Sequence, residues 1–146
     1  MTVQQIALRT SLMRKWGRRS KEVLEELDID LQWLCNTLLY EVADISLICG
    51  HRDEEAQNTA YDLGRSTLRW PDGKHNSLPS MAVDLQPYPL PRRKEKLWAS
   101  LAYIAGRAIE IGKRRGLKVR WGGDWNGNGD LTDQNFDDLY HLEVSK

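Results

Sequence analysis

Leu31, Leu34, Cys35, Leu38, Leu39 and Val42 recur at i, i+3, i+4, i+7, i+8 and i+11, the apolar stripe of an amphipathic helix. A stripe this continuous must be buried against a second apolar layer, which the rest of the chain has to supply. Asp30 is the expected N-cap. The run from Ile45 to Cys49 is short, partly β-branched and closed by Gly50, so it reads as a buried strand directly after the helix.

Downstream, Asp53, Glu54 and Glu55 place acids in a first helical turn, Ala56, Ala60 and Leu63 supply an apolar face, and Gly64 ends the helix. Residues 65–80 carry Gly, Pro, Asn and Ser without apolar period and read as a loop holding His75. Met81 to Gln86 alternates, with Ala82, Asp84 and Gln86 on one face, until Pro87, Pro89 and Pro91 stop it. Leu97, Leu101, Ile104, Ala108 and Ile111 mark a long helix that Lys113, Arg114, Arg115 and Gly116 finish. Leu117, Val119 and Trp121 alternate in a further strand. After a Gly, Asn and Asp rich loop over 122–138, Leu139 to Val144 closes the pattern, with His141 and Glu143 sharing a face.

There is no internal repeat and no linker. The expectation is one α+β domain over 20–146, a small antiparallel sheet covered by helices, after a mobile basic segment over 1–19. A chain of 146 residues is long enough to bury roughly 70% of its unfolded surface in a single core.

The 21 basic side chains balance 21 acidic ones, so no global field favours nucleic acid or an anionic membrane. No apolar run approaches the ~20 residues of a spanning helix, and the first residues lack the apolar core of a secretory signal. The sequence therefore predicts a monomer made in the cytoplasm, without membrane insertion. Cys35 and Cys49 lack CxxC spacing and read as ordinary thiols.

Only three histidines are present, His51, His75 and His141. Two imidazoles and a carboxylate from three places in the chain, His75, Asp84 and His141, can supply three ligands of a catalytic zinc site and leave a fourth position for water. Spacing alone leaves the alternative open that each imidazole is simply hydrogen-bonded or at the surface.

The segment from Lys74 to Leu85 resembles the first metal motif of the D-Ala-D-Ala metallopeptidase family, Ser-x-His-x-x-Gly-x-Ala-x-Asp, whose His and Asp bind zinc. Asp138-Leu139-Tyr140-His141 resembles its second motif, an acid three residues ahead of the third ligand, and Gly50-His51-Arg52 resembles its upstream Gly-aromatic-Arg segment. The three landmarks span residues 50 to 141, and the chain looks most similar to the short phage lysis enzymes of the family. His75 and Asp84 are nine residues apart where the signature has seven, Gly73 replaces the leading Ser, and Ser80 stands where Gly is usual.

The resemblance implies a Hedgehog/DD-peptidase-like fold and a phage endolysin-like L-alanyl-D-glutamate peptidase acting on bacterial peptidoglycan. Such an enzyme is held in the host cytoplasm until a separate protein releases it. It implies Zn²⁺ on His75, Asp84 and His141, Asp138 as general base with Asp137 as its rival, and Arg52 for the oxyanion or a substrate carboxylate. An ion pair of Arg52 with Asp53 or Glu55 is the plainer alternative. His51 is left outside the metal shell, and Glu143 is expected to orient His141. The alternatives are a D-alanyl-D-alanine carboxypeptidase, or a non-catalytic wall-binding or signalling domain as in the Hedgehog proteins.

A strand that ran unbroken would put Asp138 and His141 on opposite faces, so Asp138 must lie at a turn or bulge. Asp124, Asn126, Asn128 and Asp130 alternate as in the first half of an EF-hand loop, but the twelfth position is Asn135 rather than Glu. Two readings stay open there, a solvated loop of Asx turns and a Ca²⁺ site that also draws on Asp133.

Overall fold

The computed structural model describes residues 1–6 and 14–146. The principal elements in chain order are α1 (Arg18–Glu25), α2 (Ile29–Glu41), β1 (Ile45–Cys49), α3 (Glu54–Asp62), β2 (Ala82–Pro87), α4 (Lys94–Lys113), β3 (Lys118–Gly122) and β4 (Asp138–Ser145), with a 3-10 turn at Lys74–Asn76.

The stripe of α2 is buried as its spacing requires, with Leu31, Leu34, Cys35, Leu38 and Leu39 all fully enclosed. Its cap is Asp28 rather than Asp30. Asp28 Oδ1 accepts from the Asp30 amide at 3.0 Å, because the helix begins two residues earlier than its apolar stripe. In α3 the cap is Asp53, which accepts from the Ala56 amide at 2.9 Å, and Gly64 just beyond the helix adopts a φ of 72°.

The four strands form one antiparallel sheet in the order β1-β2-β4-β3. Alternation gives it two unlike faces. Leu47, Val83, Leu85, Val119, Leu142 and Val144 turn to the side where α2 and α4 supply Leu34, Leu38, Leu101 and Ile104. The opposite face carries Asp84, His141, Glu143 and Arg120, and register pairs Asp84 with His141 and Glu143 with both Ala82 and Arg120. Pro87 is the last residue of β2, still opposite Ile45, rather than the first beyond it.

Residues 7–13 of the basic start lie outside the described residues. Just after them, Arg14 Nη1 donates to the Leu39 carbonyl at 3.2 Å and Trp16 Nε1 to Asn36 Oδ1 at 2.7 Å, so the segment entering α1 is docked on α2. At the other end Lys146 Nζ reaches Asp28 and Asp30 at 3.0 and 3.1 Å. No described helix is long and apolar enough to cross a membrane.

Candidate metal centre and active site

The polar face of the sheet meets the turn at Lys74–Asn76, and three side chains converge there. His75 Nε2 lies 3.1 Å from His141 Nδ1 and 3.3 Å from Asp84 Oδ1, and His141 Nδ1 is 3.5 Å from the same oxygen. All three residues are buried. Asp84 and His141 are held together by the β2–β4 ladder, whereas His75 is brought in by its turn. The turn is laced to the exit of β1: the Arg52 amide donates to the His75 carbonyl at 2.8 Å, and Asn76 Nδ2 to the Arg52 carbonyl at 3.2 Å.

Each far side of the cluster is occupied. His75 Nδ1 donates to the Gly50 carbonyl at 2.6 Å, which leaves Nε2 facing inward. His141 Nε2 lies 2.8 Å from Glu143 Oε2, which leaves Nδ1 facing inward. Glu143 is gripped by Arg120, whose Nε and Nη2 approach Oε1 at 2.7 and 2.6 Å. Arg52 Nη2 lies 3.0 Å from Asp84 Oδ2, so the guanidinium pairs with the cluster and not with Asp53 or Glu55.

These contacts set the protonation of the metal-free cluster. Burial works against charge on His75, but the adjoining Asp84 carboxylate outweighs it and holds the imidazole up at about 10. Burial likewise opposes the charge of Asp84, and the contacts with His141 and His75 override it, pulling the carboxyl below the ordinary carboxylate range. His141 is raised too, burial being overcome by Asp84 and then Glu143. Glu143 is lowered, its partial burial outweighed by His141 and Arg120.

Asp84 Oδ1 is buried and, among the described residues, makes no well-formed hydrogen bond, its neighbours being the two imidazole nitrogens at 3.3 and 3.5 Å. A carboxylate oxygen enclosed beside two inward-facing imidazole nitrogens is costly unless positive charge satisfies it, either a proton held by the imidazoles, as in the metal-free cluster, or a metal ion. The two nitrogens are also too close for both to carry inward-pointing protons. Two imidazoles and one carboxylate fit a borderline divalent ion such as zinc, with room for a further ligand. His75, Asp84 and His141 form the only group of this kind among the described residues.

A cleft of about 330 Å³ opens over the cluster, lined in part by Arg52, His75, Asp138 and His141. Asp138 begins β4 at an irregular step, since Trp121 pairs with Leu142 but Gly122 pairs with Asp138. That step is the bulge demanded by the odd spacing to His141. Burial and the neighbouring Asp84 charge raise the Asp138 carboxyl above its ordinary value. Asp137 instead accepts from Gln134 Nε2 at 2.7 Å and lines a cavity next to the cleft. His51 is outside the cluster, its amide donating to Glu26 Oε2 at 2.9 Å.

The atypical motif positions are accommodated locally. The two extra residues are taken up in the loop between His75 and β2, and the buried Ser80 hydroxyl sits 2.8 Å from the Ala82 carbonyl and 3.2 Å from that of Gly50.

Three contributors are not evident from motif spacing. Buried Gln57 accepts from Asn76 Nδ2 at 3.1 Å and donates to the Leu68 carbonyl at 2.7 Å, tying α3 to the loop. Its signal was a polar residue on the same helical face as Ala60. Arg120 was readable only as a charge opposite Glu143 once strand register is known. Trp125 packs 5.3 Å from the His141 ring, stacks on Phe136 and lies under the Arg120 guanidinium.

In the acidic loop, Asn126 Oδ1 accepts from the Asn128 amide, Asn128 Oδ1 from the Asp130 amide, and Asp130 Oδ1 from Thr132. Asp133 Oδ2 accepts from Asn126 and Asn128, and Asp124 Oδ2 from the Gly129 amide, while Asp124 Oδ1 has no partner among the described residues.

The model of the phage L-alanyl-D-glutamate peptidase family matches residues 12–144. The L-alanyl-D-glutamate peptidase of Escherichia phage T5 is 31% identical over 127 residues, covering 82% of this chain and 88% of that protein. The crystal structure of the Serratia marcescens L-Ala D-Glu endopeptidase ChiX superposes with a TM-score of 0.68 at 23% identity, covering 92% of each chain, which is a likeness of fold. A family match running from the docked entry of α1 to the end of the ligand-bearing strand leaves no structural layer outside it: the chain belongs to the phage L-alanyl-D-glutamate peptidase family.

Proposed function

We propose that this chain hydrolyses the bond between L-alanine and D-glutamate in peptidoglycan stem peptides, using Zn²⁺ held by His75, Asp84 and His141. The observation that carries the metal reading is the convergence of the buried Asp84 Oδ1, which makes no well-formed hydrogen bond, with two inward-facing imidazole nitrogens within 3.5 Å of it. When bound, the ion supplies a water of lowered pKa and polarises the scissile carbonyl.

The protein's own groups do the rest. Asp138 accepts the proton of the attacking water on its carboxylate and delivers it to the leaving amine nitrogen, a task suited to a carboxyl raised above its ordinary value. Arg52 reaches into the cleft and stabilises the charge that develops on the carbonyl oxygen, while its contact with Asp84 Oδ2 leaves Oδ1 for the metal. Gly50 and Glu143 fix the tautomers of the two imidazoles. The enzyme is expected to accumulate in the host cytoplasm and to reach the wall on release.

Defined muropeptides and mass spectrometry of the new termini test this reading. Cleavage after the stem's first L-Ala supports it, whereas release of terminal D-Ala alone would assign the chain to the carboxypeptidase alternative. Metal analysis should find one zinc per active chain and none in an inactive His141→Ala variant that remains folded.

Calcium at Asp124, Asn126, Asn128 and Asp130 is part of the same proposal. The free Asp124 Oδ1 favours it, because the turn-forming oxygens already accept internal bonds but keep a second lone pair. Titration calorimetry of the zinc-loaded protein should show calcium binding that Asp124→Ala removes. No heat at millimolar calcium would leave the loop as a set of solvated turns.

A further inference from the structure

We propose that Lys74 and Lys118 form the subsite that reads the free carboxylate of the D-glutamyl residue on the leaving side of the scissile bond. This rests on the L-alanyl-D-glutamate reading above. A D-glutamyl residue acylated on its nitrogen keeps at least one carboxylate free, whichever carboxyl continues the chain. An enzyme selective for it needs an uncommitted cation close to the reacting centre.

Four cations line the cleft, Arg52, Arg65, Lys74 and Arg120. Two are committed: Arg52 to Asp84 at 3.0 Å, and Arg120 to Glu143 at 2.6 Å. Lys74 is exposed, its ammonium takes part in no ion pair or side-chain hydrogen bond among the described residues, and it immediately precedes His75. Its backbone is anchored, because the Lys74 carbonyl accepts from the Met81 amide at 3.1 Å. The ammonium thus swings from a fixed base at the edge of the metal cluster.

Beyond Lys74 the cleft continues into a second groove, lined by Lys74, Lys118, Arg120, Glu143 and Ser145. There Arg120 and Glu143 neutralise each other, and Lys118 is again an exposed cation without a partner among the described residues. The two lysines leave this end of the path with uncompensated positive charge. The opposite end differs in balance: the cavity there is lined by Arg52, Arg65, Asp84, Asp137 and Asp138, and with Arg52 paired to Asp84 two acids face Arg65. A neutral L-alanyl group can lie there, but a glutamyl carboxylate would meet more like charge than opposite charge. This difference in balance orients the substrate, with its D-glutamyl side toward Lys74 and Lys118.

The test compares two synthetic stem peptides that differ only in whether the D-glutamyl carboxylate is free or amidated. The zinc-loaded parent should favour the free carboxylate in kcat/KM. Lys74→Gln and Lys118→Gln should each lower that carboxylate-to-amide ratio by about threefold and the double variant by about tenfold, the scale of exposed charge pairs. Lys74→Arg and Lys118→Arg should retain the ratio, and zinc content should be unchanged in all four single variants. Equal losses on both peptides, an unchanged ratio in the double variant, or a fall in the ratio only with Arg65→Gln would overturn the subsite while leaving the peptidase reading intact. Cleavage of neither peptide by the parent would overturn both.

Discussion

Asp138 shows how one residue can depend on several distant choices. Its carboxyl is half-buried beside a charged Asp84, so it binds a proton more readily than a surface aspartate while still facing the cleft. Asp138→Asn keeps the size and removes the basicity. We expect kcat/KM to fall by roughly 10²–10⁴-fold, with zinc content and melting temperature close to the parent. A loss of less than tenfold would move the base role to Asp137. The odd spacing of Asp138 and His141 called for a break in strand geometry, and the irregular step opposite Gly122 is that break. The pairing of Arg52 with Asp84 was less legible, because Asp53 and Glu55 are closer along the chain and only the fold brings Asp84 across.

At the scale of elements, the alternation of β2 and β4 made most of the site readable. Period two placed His141 and Glu143 together and set Asp84 on the polar side of its strand, and the sheet register then made Asp84 and His141 direct partners. Contacts supplied by separate elements were not readable: Gln57 from α3, Arg120 from β3 and Trp125 from the acidic loop meet the cluster only in three dimensions. Gly122 is the element-level constraint on Asp138. A Cβ there would run into the Asp138 carbonyl oxygen, backbone that cannot turn aside. Gly122→Ala should therefore destabilise the fold by about 1–3 kcal/mol. Activity should fall further than the change in zinc affinity explains, which denaturant melts, zinc titration and kcat/KM together would show.

For the molecule as a whole, the buried cluster couples folding to pH and to metal. In the metal-free chain the raised His75 contributes stability that is complete below its ordinary 6.5 and is lost as pH rises through about 10. The depressed Asp84 contributes stability present above its ordinary 3.8 and lost as pH falls through its lowered value. Calorimetry of the chelator-treated protein should thus find the highest melting temperature between about pH 4 and 6.5, declining toward pH 10. The zinc-loaded protein, whose imidazoles bind the ion without that proton, should not share the alkaline decline. A metal-free chain equally stable at pH 6 and pH 9.5 would mean that the His75–Asp84 pair holds no such proton.

The meeting of His75 with His141 across 66 residues also has a temporal side. Contacts so far apart along the chain close late, after the loops between them have been ordered. An ion bound as proposed would therefore find no complete site during early collapse and would act on a sheet already zipped. A bound ion would then act on escape from the native state rather than on arrival there: the loaded chain should unfold more slowly and refold at nearly the rate of the empty one. For a peptidase of peptidoglycan, endurance of the finished fold is the more useful of the two.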